Sequence, residues 1–426
     1  MTTLRLTPTN LTGTVHIPSS KSMGHREIIC AALAQGESTV GNISMSKDIA
    51  ATIAGMTALG ASFTPLAKAG ERAAFQITGA LPHVVDNIID CGESGSTLRF
   101  LVPLGAICQE PLTFLGSGKL PTRPLEPYYN IFKQQGLSYK PYTETVNLPL
   151  TLQGPLQSGS YTLPGDVSSQ FISGLLFALP LLQGDSSLEI TGKLESQSYI
   201  EMTLGALRKY GVVIEHDNYR HYSISGGQQY KPCQAQVEGD FSQIAFWLVA
   251  GTLGKTITAT GMNMASLQGD KAILNLLQQF SGALTIEEGS VTAQPTATTG
   301  TVIDATDCPD LIPVLTVLAA VSKGHTEIVN AGRLRIKECD RLAAMATSLN
   351  KLGAKIVEKP EGLSIEGVRH FTGGTLDCWN DHRIAMSLAV ASIKCTEPLI
   401  LTGTECVKKS YPDFWQDFAH LGGRYE

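Results

Sequence analysis

The chain has 426 residues, 43% of them hydrophobic, which is longer than a single hydrophobic core usually supports, so two domains are expected. Its 32 basic and 38 acidic side chains give a net charge of −6, and no window gathers Lys and Arg as a nucleic-acid-binding surface does. The composition therefore argues against a DNA or RNA partner.

The cysteines and histidines show no pattern of a disulfide framework or a metal site. Nine cysteines are scattered singly without a C-x-x-C pair, and the nine histidines form no H-E-x-x-H or paired Cys/His spacing. The first residues lack a basic segment followed by an apolar one, and no apolar run nears the roughly 20 residues that span a bilayer. We therefore expect a cytoplasmic protein with reduced thiols that has no metal and no membrane contact.

In chain order, a short polar turn that opens an apolar helix occurs six times. Equivalent positions of successive copies are 67 to 74 residues apart, so one structural unit is repeated six times. The equivalent positions are Ser22, Ser96, Ser169, Ser242, Pro309 and His382.

A second, more amphipathic helix follows each of these apolar helices. Several of the second helices end in glycine followed by β-branched residues, as at Tyr210-Gly-Val-Val-Ile, and short alternating runs such as Ser187-Leu-Glu-Ile predict strands. Each repeat is therefore predicted to be a βαβαββ module of the α/β class. The second helices are expected to begin near Ser46, Pro124, Ser196, Ser266, Lys337 and Pro412.

Six modules at about three per core divide the chain near residue 238. Because the order of strands in a sheet need not follow the chain, the opening strand is expected to pair with the last one. This predicts a discontinuous domain of residues 1–19 and 238–426 and a second domain of residues 20–237.

The repeated helix starts predict a site for anions. Ser, Thr, Asp or Gly opens each apolar helix, where free N–H groups and the helix dipole favour phosphate and carboxylate. For any single turn, an ordinary helix cap is the commoner interpretation. Several turns also carry Lys or Arg, which favours a substrate set with several negative groups over isolated surface ion pairs.

Five segments, in order along nearly the whole chain, resemble the enolpyruvyl transferase family and in particular the 5-enolpyruvylshikimate 3-phosphate synthases. The segments are Pro18-Ser-Ser-Lys-Ser-Met-Gly-His-Arg26, Gly165-Asp-Val-Ser-Ser-Gln170, Leu334-Arg-Ile-Lys-Glu-Cys-Asp-Arg341, Asn380-Asp-His-Arg383 and Lys409-Ser-Tyr-Pro412. The resemblance implies two domains, each of three repeats around buried parallel helices, that close over a cleft. It also implies a monomer that transfers the enolpyruvyl group of phosphoenolpyruvate to shikimate 3-phosphate without a cofactor.

The same resemblance assigns the site residues. It implies that Asp310 serves the attacking hydroxyl, that Glu338 delivers the proton to the methylene carbon, and that Lys21 and His382 complete the catalytic set. The residues implied for shikimate 3-phosphate are Lys21, Ser22, Arg26, Ser168, Ser169, Gln170, Ser196, Tyr199, Asp310 and Lys337. The residues implied for phosphoenolpyruvate are Lys21, Gly95, Arg123, Gln170, Arg341, His382, Arg383 and Lys409.

Two positions depart from the family pattern. Glu93-Ser-Gly-Ser-Thr97 stands where Asn-Ala-Gly-Thr-Ala is familiar, and its carboxylate should weaken anion binding unless it points away or pairs with Arg99. This leaves the sensitivity to the glyphosate class of inhibitors open. Arg333 stands where some members have Asn, and is expected to face solvent in preference to a phosphate.

Two other functions are weighed against the transferase. The sister transferase, which acts on UDP-N-acetylglucosamine, would be expected to carry a reactive cysteine; Cys91 precedes the glycine turn, and Cys108 is expected in an apolar helix as a structural thiol. A non-catalytic anion-binding repeat protein would have no reason to retain Lys21, Asp310 and Glu338 together.

Overall fold

The computed structural model describes residues 2–66 and 72–426. The chain divides into two compact units. The discontinuous unit consists of Met1–Ser20 and Glu238–Glu426, and the continuous unit consists of Lys21–Val237. Among the described residues, each unit has three four-stranded sheets, and the predicted α/β class with βαβαββ repeats is confirmed.

The described elements follow the predicted alternation of helices and strands. The helices are α1 (Lys21–Leu33), α2 (Lys47–Ala58), α3 (Gly95–Gly105), α4 (Glu126–Gln135), α5 (Ser169–Ala178), α6 (Gln197–Lys209), α7 (Phe241–Leu253), α8 (Ile273–Gln279), α9 (Ile312–Ala320), α10 (Arg341–Lys351), α11 (His382–Ala391) and α12 (Phe414–His420). The strands are β1 (Thr3–Thr7), β2 (Gly13–His16), β3 (Gly36–Ile43), β4 (Ser62–Pro65), β5 (Ala73–Gly79), β6 (Ile88–Asp90), β7 (Leu112–Leu115), β8 (Ser138–Lys140), β9 (Leu150–Gln153), β10 (Ser160–Pro164), β11 (Ser186–Thr191), β12 (Glu215–Asp217), β13 (His221–Ile224), β14 (Gln234–Gln236), β15 (Ile257–Thr260), β16 (Ala283–Glu287), β17 (Ser290–Gln294), β18 (Val302–Asp304), β19 (His325–Val329), β20 (Lys355–Lys359), β21 (Gly362–Glu366), β22 (Gly374–Asp377), β23 (Leu399–Thr402) and β24 (Arg424–Tyr425).

The six sheets share one topology with a parallel pair at one edge. In the continuous unit the orders are β14-β3-β5-β4, β6-β7-β9-β8 and β10-β11-β13-β12. In the discontinuous unit they are β2-β15-β17-β16, β18-β19-β21-β20 and β22-β23-β1-β24. The opening strand β1 pairs with β24, with Leu6 opposite Tyr425, which confirms the predicted pairing of the chain's first and last strands.

The helices that follow the polar turns form the cores. Every residue of α7 is buried, and α9 and α11 are also buried throughout, which is where a helix that is apolar all round must lie. In the continuous unit α1, α3 and α5 are buried except near their first turns. The first turns of α1, α3 and α5 are therefore the least buried parts of these core helices.

Some predicted boundaries were wrong. The α8 helix begins at Ile273, after a 3-10 turn over Gly269–Ala272, and not at Ser266. The α10 helix begins at Arg341 and not near Lys337, because the side chain of Asp340 caps it by accepting from the Ala343 N–H at 3.0 Å.

Two further expectations are corrected. Residues 212–214, read as a strand after a glycine, precede β12 and do not belong to it. Cys108 is buried but lies beyond the end of α3, not within it. No helix of the described residues is both long enough and apolar enough to cross a bilayer.

Candidate active site

The first turn of α1 places a lysine next to a carboxylate of the neighbouring helix. Lys21 Nζ lies 2.8 Å from Asp48 Oδ2, and the two side chains are 15% and 11% exposed. Asp48 occupies the first turn of α2, a position acids favour at any helix start. Sequence reasoning missed Asp48 for this reason, since only the packing of α2 on α1 brings it to Lys21.

Arg26 lies deeper in the continuous unit than Lys21. Its guanidinium donates to the carbonyl oxygens of Ser22 at 2.6 Å and Tyr199 at 2.8 Å, and to Thr203 Oγ1 at 2.9 Å. The residue is 2% exposed and stacks 5.3 Å above the ring of Phe100. Through these hydrogen bonds, Arg26 joins α1 to α6.

The turn before α3 brings a glycine against an arginine. A side chain on Gly95 would come within 2.9 Å of Arg123 Nη1, so the glycine makes room for this guanidinium. The Glu93 carboxylate lies against Gly118, whose φ of +60° also favours glycine. The carboxylate that departs from the family pattern therefore packs on the loop that leads to Arg123.

The first turns of α3 and α5 are joined through one glutamine. Gln170 Nε2 donates to Ser96 Oγ at 2.9 Å, and Arg99 Nη1 donates to Gln170 Oε1 at 2.7 Å. Ser168 caps α5 by accepting from the Gln170 N–H at 3.3 Å. Two polar first turns that are 74 residues apart in the sequence thus form one surface.

Serines of the third repeat stand beside this turn. Ser169 begins α5 and is 6% exposed. Ser196 precedes α6 with a left-handed backbone, at a φ of +55°, which is uncommon for a residue other than glycine. Tyr199 follows in the first turn of α6 and accepts from Arg26 through its carbonyl. We call the residues Lys21, Ser22, Asp48, Glu93 to Thr97, Arg99, Arg123, Ser168 to Gln170, Ser196 and Tyr199 the Lys21 cluster.

In the discontinuous unit, one buried arginine binds three carboxylates. Arg341, with a side chain 2% exposed, lies 2.9 Å from Asp310 Oδ1, 2.8 Å from Glu338 Oε2 and 2.8 Å from Asp381 Oδ2. Asp381 is fully buried and caps α11 by accepting from the Arg383 N–H at 2.9 Å. Sequence reasoning missed Asp381, although its place before an apolar helix marks it as a cap.

Arg383 holds the other oxygen of Asp310. Its Nη2 donates to Asp310 Oδ2 at 2.7 Å and to Ser242 Oγ at 3.1 Å. Burial alone would raise the pKa of Asp310, but the charges of Arg383, Lys337 and Arg341 outweigh it and hold the pKa well below its usual range. Asp310 is therefore ionised at neutral pH.

The ammonium group of Lys337 has a pKa below that of an ordinary lysine. Burial lowers its pKa to about 8; Asp310 opposes the shift, and Arg341 and Arg333 add to it. Arg333, which was expected to face solvent, is half-buried and donates to the Thr306 carbonyl at 3.0 Å. That expectation was wrong, because the 3-10 turn of Gly332–Ile336 directs the arginine toward its own unit.

Lys409 and His382 lie at the start of α11. Lys409 Nζ donates to the Asn380 carbonyl at 2.6 Å. Trp379 and Asn380 both have positive φ, +56° and +49°, in the turn that presents this carbonyl. His382 is 1% exposed, with Nδ1 3.8 Å from Asp381 Oδ1. We call Asp310, Lys337, Glu338, Arg341, Asn380 to Arg383 and Lys409 the Arg341 cluster.

The two cysteines weighed as reactive thiols are buried. Burial, with a smaller effect from Asp90, raises the pKa of Cys91 well above its ordinary value. Burial and Glu110 raise the pKa of Cys108 to about 11. Neither thiol has the lowered pKa of a nucleophile.

Known proteins resemble the chain over its full length. The sequence model of the family described as EPSP synthase (3-phosphoshikimate 1-carboxyvinyltransferase) matches residues 6–418. The 3-phosphoshikimate 1-carboxyvinyltransferase of Clostridium kluyveri is 50% identical over 421 residues, 99% of this chain and 97% of that protein. Its counterpart in Clostridium acetobutylicum is 50% identical over 424 residues, 99% of this chain and 98% of that protein.

A solved structure shares the fold. The EPSP synthase of Acinetobacter baumannii superimposes with a TM-score of 0.83 at 24% identity, covering 100% of this chain and 99% of that one. The six repeats, the two clusters at the first turns of buried helices and the full-length sequence matches lead to one conclusion: the chain belongs to the EPSP synthase (3-phosphoshikimate 1-carboxyvinyltransferase) family.

Proposed function

We propose that the chain transfers the enolpyruvyl group of phosphoenolpyruvate to the 5-hydroxyl of shikimate 3-phosphate, a step of chorismate and aromatic amino acid biosynthesis. The products are 5-enolpyruvylshikimate 3-phosphate and phosphate. One observation carries the proposal: each unit gathers buried cations near the first turns of its helices, as two multiply anionic substrates require. These cations are Arg26, Arg99, Arg123, Arg341, Arg383 and Lys409. We also propose that the enzyme is a monomer and that it is cytoplasmic. The nine cysteines are all free thiols, which is consistent with the proposed compartment.

The two clusters act, in this proposal, on the same pair of substrates. The 3-phosphate of shikimate 3-phosphate is held by the hydroxyls of Ser168, Ser169 and Ser196 and by the ammonium of Lys337. Hydroxyls and an ammonium bind a phosphate from several directions, which suits a tetrahedral dianion. Ser22 and Arg26 hold the carboxylate of the ring. Tyr199 and Gln170 complete the phosphate pocket, and Gln170 contacts both substrates.

Phosphoenolpyruvate carries a carboxylate and a phosphate, and the proposed site offers cations for both. Lys21, Arg123 and the Gly95 turn come from the Lys21 cluster. The groups from the Arg341 cluster are Arg341, His382, Arg383 and Lys409. A guanidinium binds a carboxylate or phosphate through paired hydrogen bonds, while a lysine acts as a point charge.

The reaction proceeds by addition and elimination. Asp310 accepts the proton of the 5-hydroxyl as its oxygen bonds to C2 of phosphoenolpyruvate, and Glu338 donates a proton to C3. In the elimination, the C2–O bond breaks with its electron pair on the departing phosphate, while the Glu338 carboxylate takes back a proton from the new methyl group, which restores the double bond. Asp310 gives the proton of the former hydroxyl to the phosphate, so both carboxyl groups return to their starting states. Lys21 and Lys409 stabilise the negative charge on the phosphate.

The charge environment of Asp310 fits the role of a proton acceptor. Its low pKa keeps it ionised, but the neighbouring cations also make it a weak base. Bound anionic substrates offset those cations and raise its basicity, so the base becomes competent when both ligands are present. Exclusion of water by the bound substrates would strengthen the effect.

Phosphate release tests the proposal. Purified protein is incubated with phosphoenolpyruvate and either shikimate 3-phosphate or UDP-N-acetylglucosamine. We expect phosphate release only with shikimate 3-phosphate, because neither Cys91 nor Cys108 resembles a nucleophile. Release only with the UDP-sugar would select the sister activity, and no release with either acceptor would favour a binding role.

The affinity for shikimate 3-phosphate should depend on the proton of Lys337. The folded pKa of about 8 means that the ammonium is lost above pH 8, while the ligand phosphate stays fully ionised. We expect affinity to fall by about tenfold per pH unit above that value, as measured by calorimetry. Lys337→Arg, which stays charged, should abolish the fall, and a flat profile in the unmodified protein would contradict the role.

A side chain on Gly95 should disturb the donor subsite without harming the fold. The clash in Gly95→Ala is with the mobile end of Arg123, which can shift. We expect an unchanged unfolding midpoint and a KM for phosphoenolpyruvate raised by about tenfold, corresponding to roughly 1.4 kcal/mol. Gly136→Ala is the kinetic control: the glycine has nothing within 4 Å, and its φ of +69° should make the alanine variant less stable without changing the KM. An unaltered KM in Gly95→Ala would remove this turn from the site.

A further inference from the structure

A row of buried hydrogen bonds leads from α1 to the first turn of α3 in the continuous unit. His25 Nδ1 lies 2.7 Å from Thr52 Oγ1, which lies 2.7 Å from Thr97 Oγ1. Thr97 Oγ1 in turn donates to Ser94 Oγ at 2.7 Å. His25, Thr52 and Thr97 are fully buried, and Ser94 is 1% exposed. The row therefore joins α1, α2 and α3 without access to water.

This row lies one helical turn beyond the Lys21–Asp48 ion pair. His25 follows Lys21 by four residues on α1, and Thr52 follows Asp48 by four residues on α2. Side chains four residues apart lie on the same face of a helix. The backbone of Asp48 also lies beside the row, with its carbonyl oxygen 3.3 Å from Thr97 Oγ1.

Burial, aided by the neighbouring charges, keeps the ring of His25 neutral. Burial, together with the cations of Lys21 and Arg26, lowers the pKa of His25 well below its ordinary value. The edge of the ring faces Phe100, with the centroids 6.3 Å apart, and Nε2 has no hydrogen-bond partner among the described residues.

The neutral ring sets the direction of the hydrogen bonds. With the proton on Nδ1, His25 donates to Thr52, Thr52 to Thr97 and Thr97 to Ser94, so each threonine hydroxyl both donates and accepts. Only the lone pair of Nε2 is then left without a partner. The reverse direction would bury an N–H without an acceptor, which costs more.

We infer that His25, Thr52 and Thr97 are positioning residues, whose hydrogen-bonded row sets the distance between the Lys21 ammonium and the Gly95 turn. Ser94 caps α3, so its oxygen fixes the turn that carries Gly95 and Ser96. The inference rests on the proposed function, in which Lys21 and Gly95 bind phosphoenolpyruvate. A misplacement of about 1 Å in such a pair costs up to about 100-fold in rate.

Thr97→Val removes the hydroxyl at constant shape and tests the row. We expect kcat/KM for phosphoenolpyruvate to fall by about 10- to 100-fold. The KM for shikimate 3-phosphate should stay within about twofold, because the serines proposed to hold its phosphate come from other segments. Thr97→Ser keeps a hydroxyl and should restore most of the activity. The matched control is Thr252→Val, which removes a buried hydroxyl donating to the Leu248 carbonyl in α7 and should change neither KM.

Several outcomes would overturn the inference. In the first, Thr97→Val lowers only the amount of folded protein and leaves both KM values unchanged; in the second, Thr97→Val has the same effect as Thr252→Val. Either result would leave the row a purely structural feature. If the unmodified protein lacks the proposed activity, the proposed function fails on its own. The ¹⁵N shifts of the His25 ring then still test the row: Nδ1–H at neutral pH supports it, and Nε2–H overturns it.

Discussion

Arg341→Met is expected to destabilise the discontinuous unit by about 3–5 kcal/mol, because breaking a buried ion pair leaves uncompensated charge. The arginine is the common partner of Asp310, Glu338 and Asp381, at 2.8 to 2.9 Å from each. Without it, three carboxylates share a buried region with less positive charge. This loss of stability should become smaller as the pH falls toward about 4, because protonation of the carboxylates relieves the repulsion between them.

The measurement is urea unfolding followed by tryptophan fluorescence. The three tryptophans, Trp247, Trp379 and Trp415, all belong to the discontinuous unit, so the signal reports on that unit. The matched control is Arg335→Met, which removes a more exposed arginine paired with Asp340 and Glu358. We expect the control to cost about 1 kcal/mol or less. Equal losses of stability in the two variants would contradict the prediction that the buried Arg341 contributes more to stability than the more exposed Arg335.

Glu338→Gln is expected to lower turnover by about 10²- to 10⁴-fold, the usual contribution of a positioned proton donor. The substitution keeps the shape of the side chain but removes the proton delivered to C3. Shikimate 3-phosphate binding should stay within about twofold, because the proposed phosphate contacts do not include Glu338. Turnover and calorimetric affinity are measured on the same preparation.

Glu358→Gln provides the control for this substitution. Glu358 also pairs with an arginine of the same unit, with 2.6 Å between Arg335 Nη1 and its Oε1, but it lies on β20. The control should keep full turnover. A large loss of shikimate 3-phosphate affinity in Glu338→Gln, with kcat retained, would assign Glu338 to binding and exclude it as the proton carrier.

The repeat architecture could be predicted because its signals are local. A polar residue before an apolar run marks each helix start, and Ser94, Ser168 and Asp381 all cap as such residues do. The pairing of β1 with β24 followed from the same repeat, since each module needs its complement of strands. The start of α10 was predicted too early, near Lys337, because Asp340, three residues later, is the residue that caps this helix.

The partners within each cluster could not be predicted in the same way. Lys21 and Asp48 are 27 residues apart, and Arg341 and Asp381 are 40 residues apart. These contacts arise only when separate helices pack together, within one module for Lys21 and Asp48 and between two modules for Arg341 and Asp381. The environment of Arg333 could not be predicted for a similar reason. The backbone turn that carries Arg333 determines whether its side chain lies in solvent or donates to the Thr306 carbonyl.

The central claim is that cations and hydroxyls from both clusters bind one pair of anionic substrates. A crystal structure of the protein soaked with shikimate 3-phosphate and phosphoenolpyruvate tests it most directly. The account predicts density for the 3-phosphate on Ser168, Ser169 and Ser196 with Lys337 in contact, and for phosphoenolpyruvate on Lys21 and Arg123. Ligands bound by one cluster while Lys337 and Lys409 contact neither of them would contradict it.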